Sequence, residues 1–234
     1  MVRTYAAVFG YNEYSKQILK QVKNIYREIT LFVHTQSEMQ AANSDGLAAE
    51  MFDLGDDWHS IEERFDIRRL SVFCALNDDA ENVFLTISLR ASFEKIFIIT
   101  LAKNHENMLK MKSAGADKVM PVLQIAANVI GDMISKPMVT QVLYEILYED
   151  EGLHVSEVKI DKMSPIIGKY LHDIDFQGEF NLILLAIVDH ERENSFSFAV
   201  EGHNHHIDEG DILVLLGEMK DLSECKQWLR GYNG

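Results

Sequence analysis

Short apolar runs alternate with helical patterns through the first half of the chain, and this alternation restricts the fold more than any other feature. Strands are predicted at 4–10, 28–34, 50–54, 69–76, 95–101 and 117–120, and helices at 14–25, 58–65, 78–91 and 105–114. Strands that are apolar throughout and separated by helices of this length are typical of a parallel sheet covered on both faces. The sequence therefore predicts an α/β domain with a doubly wound parallel sheet.

Two consecutive apolar helices follow the last strand of this sheet. The first spans 122–134 and is apolar almost all round, Pro137 ends it, and the second repeats apolar residues at helical spacing. The residues predicted to form an interface are Val122, Ile125, Val129, Ile130, Met133, Val139, Val142, Leu143 and Ile146. Apolar patches of this size usually mark interfaces, so a second subunit is the economical partner. Packing beneath the chain's own second domain is the alternative.

From residue 151 the pattern changes to short strands with few helices. Strands are predicted at 154–160, 181–188, 196–200 and 211–216, and helices at 166–171 and 221–229. This pattern indicates a small α+β unit. We therefore predict three parts: an α/β domain over 1–120, crossover and dimerisation helices over 121–150, and a small α+β domain over 151–234.

The net charge of −15 limits the classes of partner. Phosphate binding needs clustered Lys and Arg, so nucleic acid is not expected, and adsorption to anionic lipid is disfavoured for the same reason. The longest apolar run, at 180–188, is far shorter than the ~20 residues that cross a bilayer. No N-terminal segment is typical of a signal peptide. We expect a cytoplasmic chain without direct membrane insertion.

The segment after the first strand is the candidate phosphate loop. A Rossmann-like dinucleotide fold carries G-x-G-x-x-G here, for a tight turn, close approach of the pyrophosphate and close helix–strand packing. This chain has Gly10, Asn12 and Ser15 in the three glycine positions, and Glu13 adds negative charge near the helix N-terminus. The second strand ends at His34, with no acid to hold ribose hydroxyls. Tight NAD(H) binding, a smaller or different ligand and an empty crevice are all open at this point.

Histidines in the second domain form the densest potential metal group. His203, His205 and His206 lie close in sequence, with His190 and Glu191 nearby. Neighbouring histidines point apart in an extended backbone, and no Cys or acid stands at a recognised ligand spacing. A solvated loop is therefore favoured, and no metal is expected.

Catalytic arrangements are missing from the sequence. No G-x-S-x-G elbow occurs, Cys74 lies inside an apolar strand, and the second domain is small for closing over a substrate. We expect no catalytic residues and no enzymatic activity. An NAD(P)-dependent oxidoreductase with a reduced substrate domain is the alternative.

Several motifs together indicate a family. The chain contains AGADKVMP at 114–121, Asn77 with two acids after the fourth strand, SPIIGKYL at 164–171 and EGDILV at 209–214. In this order and spacing the sequence resembles the domains that regulate K⁺ conductance, called RCK or KTN domains, which pair a TrkA-N with a TrkA-C domain. The resemblance covers nearly the whole chain.

The resemblance implies a regulatory role at a membrane. Such modules dimerise through the crossover helix and the following helix, here about 122–148, and dimers assemble into rings, often of eight domains, beneath a K⁺ channel pore or beside a transporter. Ligand binding changes the dimer hinge and pulls on the pore, which requires only that the ligand bind one conformation more tightly. We therefore expect a homodimer or ring that acts at the inner face of the cell membrane. A ligand-independent assembly scaffold is a further alternative.

The resemblance also implies where a ligand binds. Family ligands include NAD(H), ATP, ADP or AMP in the crevice, Ca²⁺ at acidic clusters and cyclic dinucleotides in the C-terminal domain. Asp56 and Asn77 match crevice positions near an adenosine, while Gly10, Asn12 and Ser15 match the phosphate end. The Ca²⁺ site is expected to be absent, because Glu94 is the sole acid near the fifth strand. Which ligand binds, if any, is not fixed by the sequence.

Overall fold

The structure, a computed structural model, describes residues 3–55, 57–148, 152–190, 195–199 and 205–231. The chain divides into two compact units, Met1–Gly131 and Asp132–Gly234, and each is described by itself.

The first unit is built on a six-stranded parallel sheet. Its strands are β1 Tyr5–Phe9, β2 Glu28–Val33, β3 Ala49–Met51, β4 Leu70–Cys74, β5 Phe97–Ala102 and β6 Lys118–Pro121. They lie in the order β3-β2-β1-β4-β5-β6, and every neighbouring pair is parallel. The predicted doubly wound parallel sheet is confirmed. The order reverses between β1 and β4, so the helices after β1 and after β4 cover opposite faces.

Helices connect these strands at short intervals. They are α1 Glu13–Val22, α2 Gln36–Ser44, α3 His59–Arg64, α4 Asp79–Ser92 and α5 His105–Ser113. Polar side chains cap most of them: Thr35 caps α2, Asp78 caps α4 and Asn104 caps α5. Each of these side chains accepts a hydrogen bond from an amide of the first turn, which fixes where the helix begins.

Two apolar clusters fill the two faces of this sheet. On one face an aromatic group surrounds Phe9, whose ring centroid lies 5.0 Å from that of Phe52 and 5.7 Å from that of Trp58. On the other face Val8, Leu31 and their neighbours pack beneath α1 and α2. The central strands β1 and β4 are buried on both sides, which is why they are apolar almost throughout rather than alternating.

Two further helices follow β6, at α6 Val122–Ser135 and α7 Pro137–Tyr148. Neither contains a buried residue, although both are dominated by apolar side chains. Within the described part of the chain no helix combines the length and the apolar character needed to span a bilayer.

The second unit contains a four-stranded antiparallel sheet. Its elements are β7 Leu153–Lys159, α8 Phe176–Phe180, β8 Ile183–Asp189, β9 Ser195–Phe198, β10 Ile212–Glu218 and α9 Met219–Leu229. The strand order is β7-β10-β8-β9, and all neighbours are antiparallel. The sheet and α9 enclose a core that includes Ile187, Leu213 and Cys225. The predicted small α+β unit is confirmed.

The helix predicted at 166–171 is wrong. Turns occupy 165–168, and Gly168 adopts a left-handed backbone with φ of +79°. Its amide donates to the carbonyl of Ile207 at 3.0 Å, and the amide of Leu171 donates to that of His205 at 2.9 Å. The amides of Gly168 and Leu171 therefore pair with a distant segment, and the local hydrogen bonds that remain, such as Lys169 to Ile166 at 3.1 Å, form turns and not a helix. A short helix, α8, forms nearby, where Asp175 caps Gly178.

Candidate functional site at the carboxyl edge of the parallel sheet

The candidate site lies where the strand order reverses, at the carboxyl ends of β1 and β4. Ligands of open α/β sheets bind at this point. Gly10 ends β1 with φ of +96°, and a Cβ there would lie 2.8 Å from the carbonyl oxygen of Ala75. The residue at position 10 must therefore be glycine for two reasons: its backbone conformation and the closeness of the neighbouring strand.

Asn12 links the start of α1 to the end of β4. Its Oδ1 accepts hydrogen bonds from the amides of Tyr14 (2.9 Å) and Ser15 (3.1 Å), and its Nδ2 donates to the carbonyl of Ala75 at 2.6 Å. The side chain thus fills the space in front of the helix N-terminus. In this fold the backbone amides at the start of α1 are the groups that would bind a phosphate. Here the amides of Tyr14 and Ser15 donate to the Asn12 side chain instead.

Ser15 completes a capping box with Asn12. Its Oγ accepts from the amide of Asn12 at 2.8 Å, and the residue is fully buried. Glu13, in the same first turn, is exposed and places a negative charge beside the helix N-terminus. Through these reciprocal hydrogen bonds, the amides of Asn12 and Ser15 are both paired within the turn.

A carboxylate that the sequence analysis missed lies at this edge. Glu38, in α2, is 8% exposed and accepts hydrogen bonds from the amides of Tyr11 (3.3 Å) and His34 (3.2 Å). The amide of Glu38 bonds to the Oγ1 of Thr35 at 3.2 Å. The available signal was Thr-x-x-Glu at 35–38, the pattern of a capping box. An acid is therefore present near the end of β2, but its oxygens are used by the backbone.

His34 lies between two carboxylates. Its Nδ1 is 3.3 Å from Glu38 Oε2, and its Nε2 is 3.6 Å from Glu81 Oε2. Its ring centroid lies 5.8 Å from that of Phe52. His34 thus connects α2 with α4 across the carboxyl edge, an arrangement that the sequence did not indicate.

The other predicted crevice residues lie further along the edge or outside the described residues. Asn77 is exposed after β4, and its carbonyl accepts from Lys103 Nζ at 2.5 Å. Next to it, Asp79 accepts from the amide of Lys103 (3.0 Å) and from Asn107 Nδ2 (2.6 Å). Asp56 lies outside the described residues. The structure therefore brings Gly10, Asn12 and Ser15 together, with Asn77 on the next loop.

The residues at the switch point do not fit a dinucleotide diphosphate. A pyrophosphate needs free amides at the start of the helix and a glycine in the second position of the loop. Here Asn12 takes both amides and blocks the approach, and the Glu38 carboxylate is held at the preceding amide. A diphosphate would have to displace a helix cap and a hydrogen bond to β4.

The histidines of the second unit do not converge on one point. His205 Nε2 lies 2.7 Å from the buried Asp211 Oδ2, whereas His206 Nδ1 lies 3.4 Å from Asp208 Oδ1. His203 and Glu191 lie outside the described residues. Among the residues that are described, no group of three or more His, Cys, Asp and Glu is arranged to hold a metal ion.

The predicted interface residues lie on α6 and α7. Ile130 is 59% exposed and Val139 55%, while Val122 and Ile146 are half-buried. The remaining predicted residues, all exposed, are Ile125, Val129, Met133, Val142 and Leu143. Both helices therefore present apolar side chains to solvent in the single chain.

Comparison with known proteins identifies both halves of the chain. Residues 6–121 match the TrkA-N domain and residues 155–230 match the TrkA-C domain. Potassium channel protein 1 of Methanocaldococcus jannaschii is 22% identical over 156 residues, which are 67% of this chain and 45% of that protein. The K⁺/H⁺ antiporter subunit KhtT of Bacillus subtilis is 27% identical over 141 residues, 57% of this chain and 81% of that subunit.

The fold also matches a solved assembly. The human SLO3 gating ring aligns with a TM-score of 0.67 at 10% identity, over 94% of this chain and 46% of that chain. At this identity the likeness concerns the fold alone. The chain spans about half the length of the channel protein that it matches. Since both domain models match in order along the chain, the protein belongs to the family of RCK regulators of K⁺ conductance, built from a TrkA-N and a TrkA-C domain.

Proposed function

We propose that this chain is a cytosolic regulatory module of a K⁺ channel or K⁺ transporter and acts at the inner face of the cell membrane. The observation that carries the proposal is the pair of exposed apolar helices α6 and α7 between the two family domains. A monomer rarely leaves contiguous apolar surface of this extent in water. The similarity to a channel protein and to an antiporter subunit supports a partner of either kind.

The proposed active form is a homodimer that associates through α6 and α7, with assembly of dimers into a ring as the next level. Regulation then follows from linkage, because any ligand that binds one dimer geometry more tightly shifts the population toward it. The free energy of that shift is available to a pore or transporter attached to the ring.

The proposed role is not catalytic. In an oxidoreductase the switch point would hold the diphosphate of a nicotinamide cofactor, whereas here Asn12 bonds the amides that would hold it. The same observation favours a second candidate, a ligand-independent assembly scaffold in which the crevice no longer senses a nucleotide.

A flux measurement tests the regulatory role. Cells that encode the chain are compared with cells from which it has been removed, using uptake and efflux of ⁸⁶Rb⁺ as a tracer for K⁺. We expect flux to change by several-fold on removal and to return when the chain is restored. Unchanged flux under both low and high external K⁺ would overturn the proposal.

A thermal-shift screen separates the sensor from the scaffold. NAD, NADH, ATP, ADP, AMP, cyclic dinucleotides and Ca²⁺ are added one at a time to the purified chain. A ligand at 100 times its Kd stabilises the folded state by about 2.7 kcal/mol, which raises Tm by several degrees. A shift with one of these identifies a sensor for it; no shift with any of them favours the scaffold.

A further inference from the structure

A cleft on the α1 side of the parallel sheet begins at Tyr11 and Glu13 and follows α1 to Lys23, and its lining does not include Gly10, Asn12 or Ser15. It has a volume of about 620 Å³ and lies between α1, β2 and the connection from α2 to β3. This volume falls in the range of small-molecule sites, roughly 300–1,000 Å³.

The floor of the cleft is apolar. Leu19 of α1 and Ile29 of β2 are partly exposed in the cleft, whereas Leu31, on the same face of β2 as Ile29, is 3% exposed and closes the floor from beneath. Leu47 and Ala48 form the opposite edge, where Leu47 is 37% exposed. A ligand with an apolar body would cover surface that water now contacts.

One wall of the cleft carries a row of lysines. Lys16, Lys20 and Lys23 occupy positions i, i+4 and i+7 of α1 and its C-cap, and therefore share one side of the helix. This is unusual for a chain with 37 acidic and 22 basic residues. Lys16 is paired with Asp45 (3.0 Å) and Glu13 (3.5 Å). In the described part of the chain, Lys20 and Lys23 have no carboxylate within ion-pair distance.

At the end of the cleft near Tyr11, the polar side chains already have hydrogen-bond or ion-pair partners within the chain. The Tyr11 hydroxyl donates to Asp45 Oδ2 at 2.6 Å, and Lys16 bonds the same carboxylate. Burial, with the Asp45 hydrogen bond next, raises the pKa of Tyr11 to about 12, so the phenol stays neutral. An anionic group therefore has its best partners at the other end, beside Lys20 and Lys23.

We propose that this cleft binds a single-chain anionic amphiphile of the fatty-acid class, with its acyl chain on Leu19, Ile29 and Leu47 and its carboxylate beside Lys20 and Lys23. The favourable position of lysines near a helix C-terminus explains their presence at the end of α1. That position does not explain why the lysines border an apolar cleft of this size. Both features together fit a ligand that is apolar along its length and negative at one end.

Calorimetric titration of the full chain tests this proposal, with decanoate as the anionic probe and decanol as its neutral counterpart. We expect saturable binding of one decanoate per chain. Lys20→Gln with Lys23→Gln should weaken decanoate binding about 3- to 10-fold, the loss of two exposed ion pairs, and leave decanol binding unchanged. Ala48→Phe, at an exposed position on the cleft edge, should weaken binding of both probes by filling the space.

The matched control is Lys112→Gln with Lys118→Gln, which makes the same charge change at exposed positions of α5 and β6. An equal loss of decanoate affinity in this control would assign the effect to net charge and overturn the proposal. So would an absence of saturable decanoate binding, or binding confined to vesicles of anionic lipid. The titration requires no K⁺ partner, so its outcome is independent of the flux experiment.

Discussion

Asn12 decides what the switch point can bind. A side chain at this position can exclude phosphate by its bulk alone, and the sequence indicates that much. The structure adds that the amide group bonds α1 on one side and β4 on the other, so the residue stands in for a ligand. Bonding the first-turn amides of α1 and tying α1 to the end of β4 are therefore properties of the same side chain.

Asn12→Gly should restore nucleotide binding. Glycine is a tolerable N-cap, so the variant loses a few tenths of a kcal/mol at the cap and roughly 1 kcal/mol from the hydrogen bond to Ala75. It frees the amides of Tyr14 and Ser15, and we expect the Kd for ADP or NAD to fall at least 10-fold in calorimetric titration.

Asn104→Gly is the control for this substitution, because Asn104 caps α5 in the same way at a distance from the β1–β4 switch point. It should lose only the few tenths of a kcal/mol of the cap, without the roughly 1 kcal/mol of the hydrogen bond to Ala75, and gain no affinity. Tight binding of either nucleotide by the unaltered chain would contradict the interpretation of Asn12.

The two cysteine thiols should be inert in the folded protein. Burial raises the pKa of Cys74 and of Cys225 to about 12. The folded state therefore favours the protonated thiol, and the stabilisation is complete below the unfolded pKa near 9 and is lost as pH rises toward 12.

Colorimetric thiol titration at pH 8 measures this directly. We expect no reaction in the native protein and two equivalents after denaturation, with the free energy of unfolding falling above pH 9. Rapid reaction of one thiol without denaturant would contradict the burial of that residue.

At the scale of elements, the proposed assembly depends on α6 and α7. Both are apolar enough for a protein core, yet neither contains a buried residue in the single chain. Their apolar area is removed from water if two copies associate, at about 25 cal/mol per Å². Under the proposed function, these helices therefore act through a partner and contribute little to the core of either unit.

Ile130→Asp should dissociate the homodimer. Ile130 is 59% exposed, so an aspartate is well solvated in the monomer, whereas in the dimer interface its charge would be buried without a partner. We expect the dimer Kd to rise at least 100-fold in sedimentation equilibrium, with the circular dichroism spectrum unchanged.

Ile25→Asp provides the comparison, because Ile25 is equally apolar and 68% exposed but lies outside α6 and α7. It should leave the dimer intact. A monomeric unaltered chain at micromolar concentration, or equal dissociation in both variants, would refute assembly through these helices.

Periodicity predicted the elements of the first unit well, since the central strands β1 and β4 are buried on both faces and α1 has a clear apolar stripe. It failed at 166–171, where the apolar residues Ile166, Ile167 and Leu171 occur at helical spacing. Hydrogen bonds from Gly168 and Leu171 to residues 205–207 decide that structure, and such long-range pairing leaves no local pattern. Glu38 was missed in part for a similar reason, because the Tyr11 amide that it accepts from lies 27 residues away, although Thr-x-x-Glu at 35–38 was a local signal.

For the whole molecule, the sequence motifs predicted the family, whereas the residues of the crevice did not predict a ligand. The order of AGADKVMP, two apolar helices and EGDILV led to the family, and the domain matches confirm it. The ligand could not be predicted, because the phosphate loop departs from the glycine fingerprint and the cleft is formed by α1, β2 and the α2–β3 connection, which are separated in sequence.

The two units have separate cores, which predicts separate responses to core substitutions. Leu85, in α4, is fully buried in the first unit, and Ile187, in β8, is 1% exposed in the second. Leu85→Ala and Ile187→Ala should each cost about 2–5 kcal/mol and lower the transition of its own unit by roughly 10 °C in differential scanning calorimetry. Ile25→Ala, at an exposed position, should move neither transition. If both core variants shift one common transition by equal amounts, the units unfold as a single cooperative body, and the independent-core argument fails.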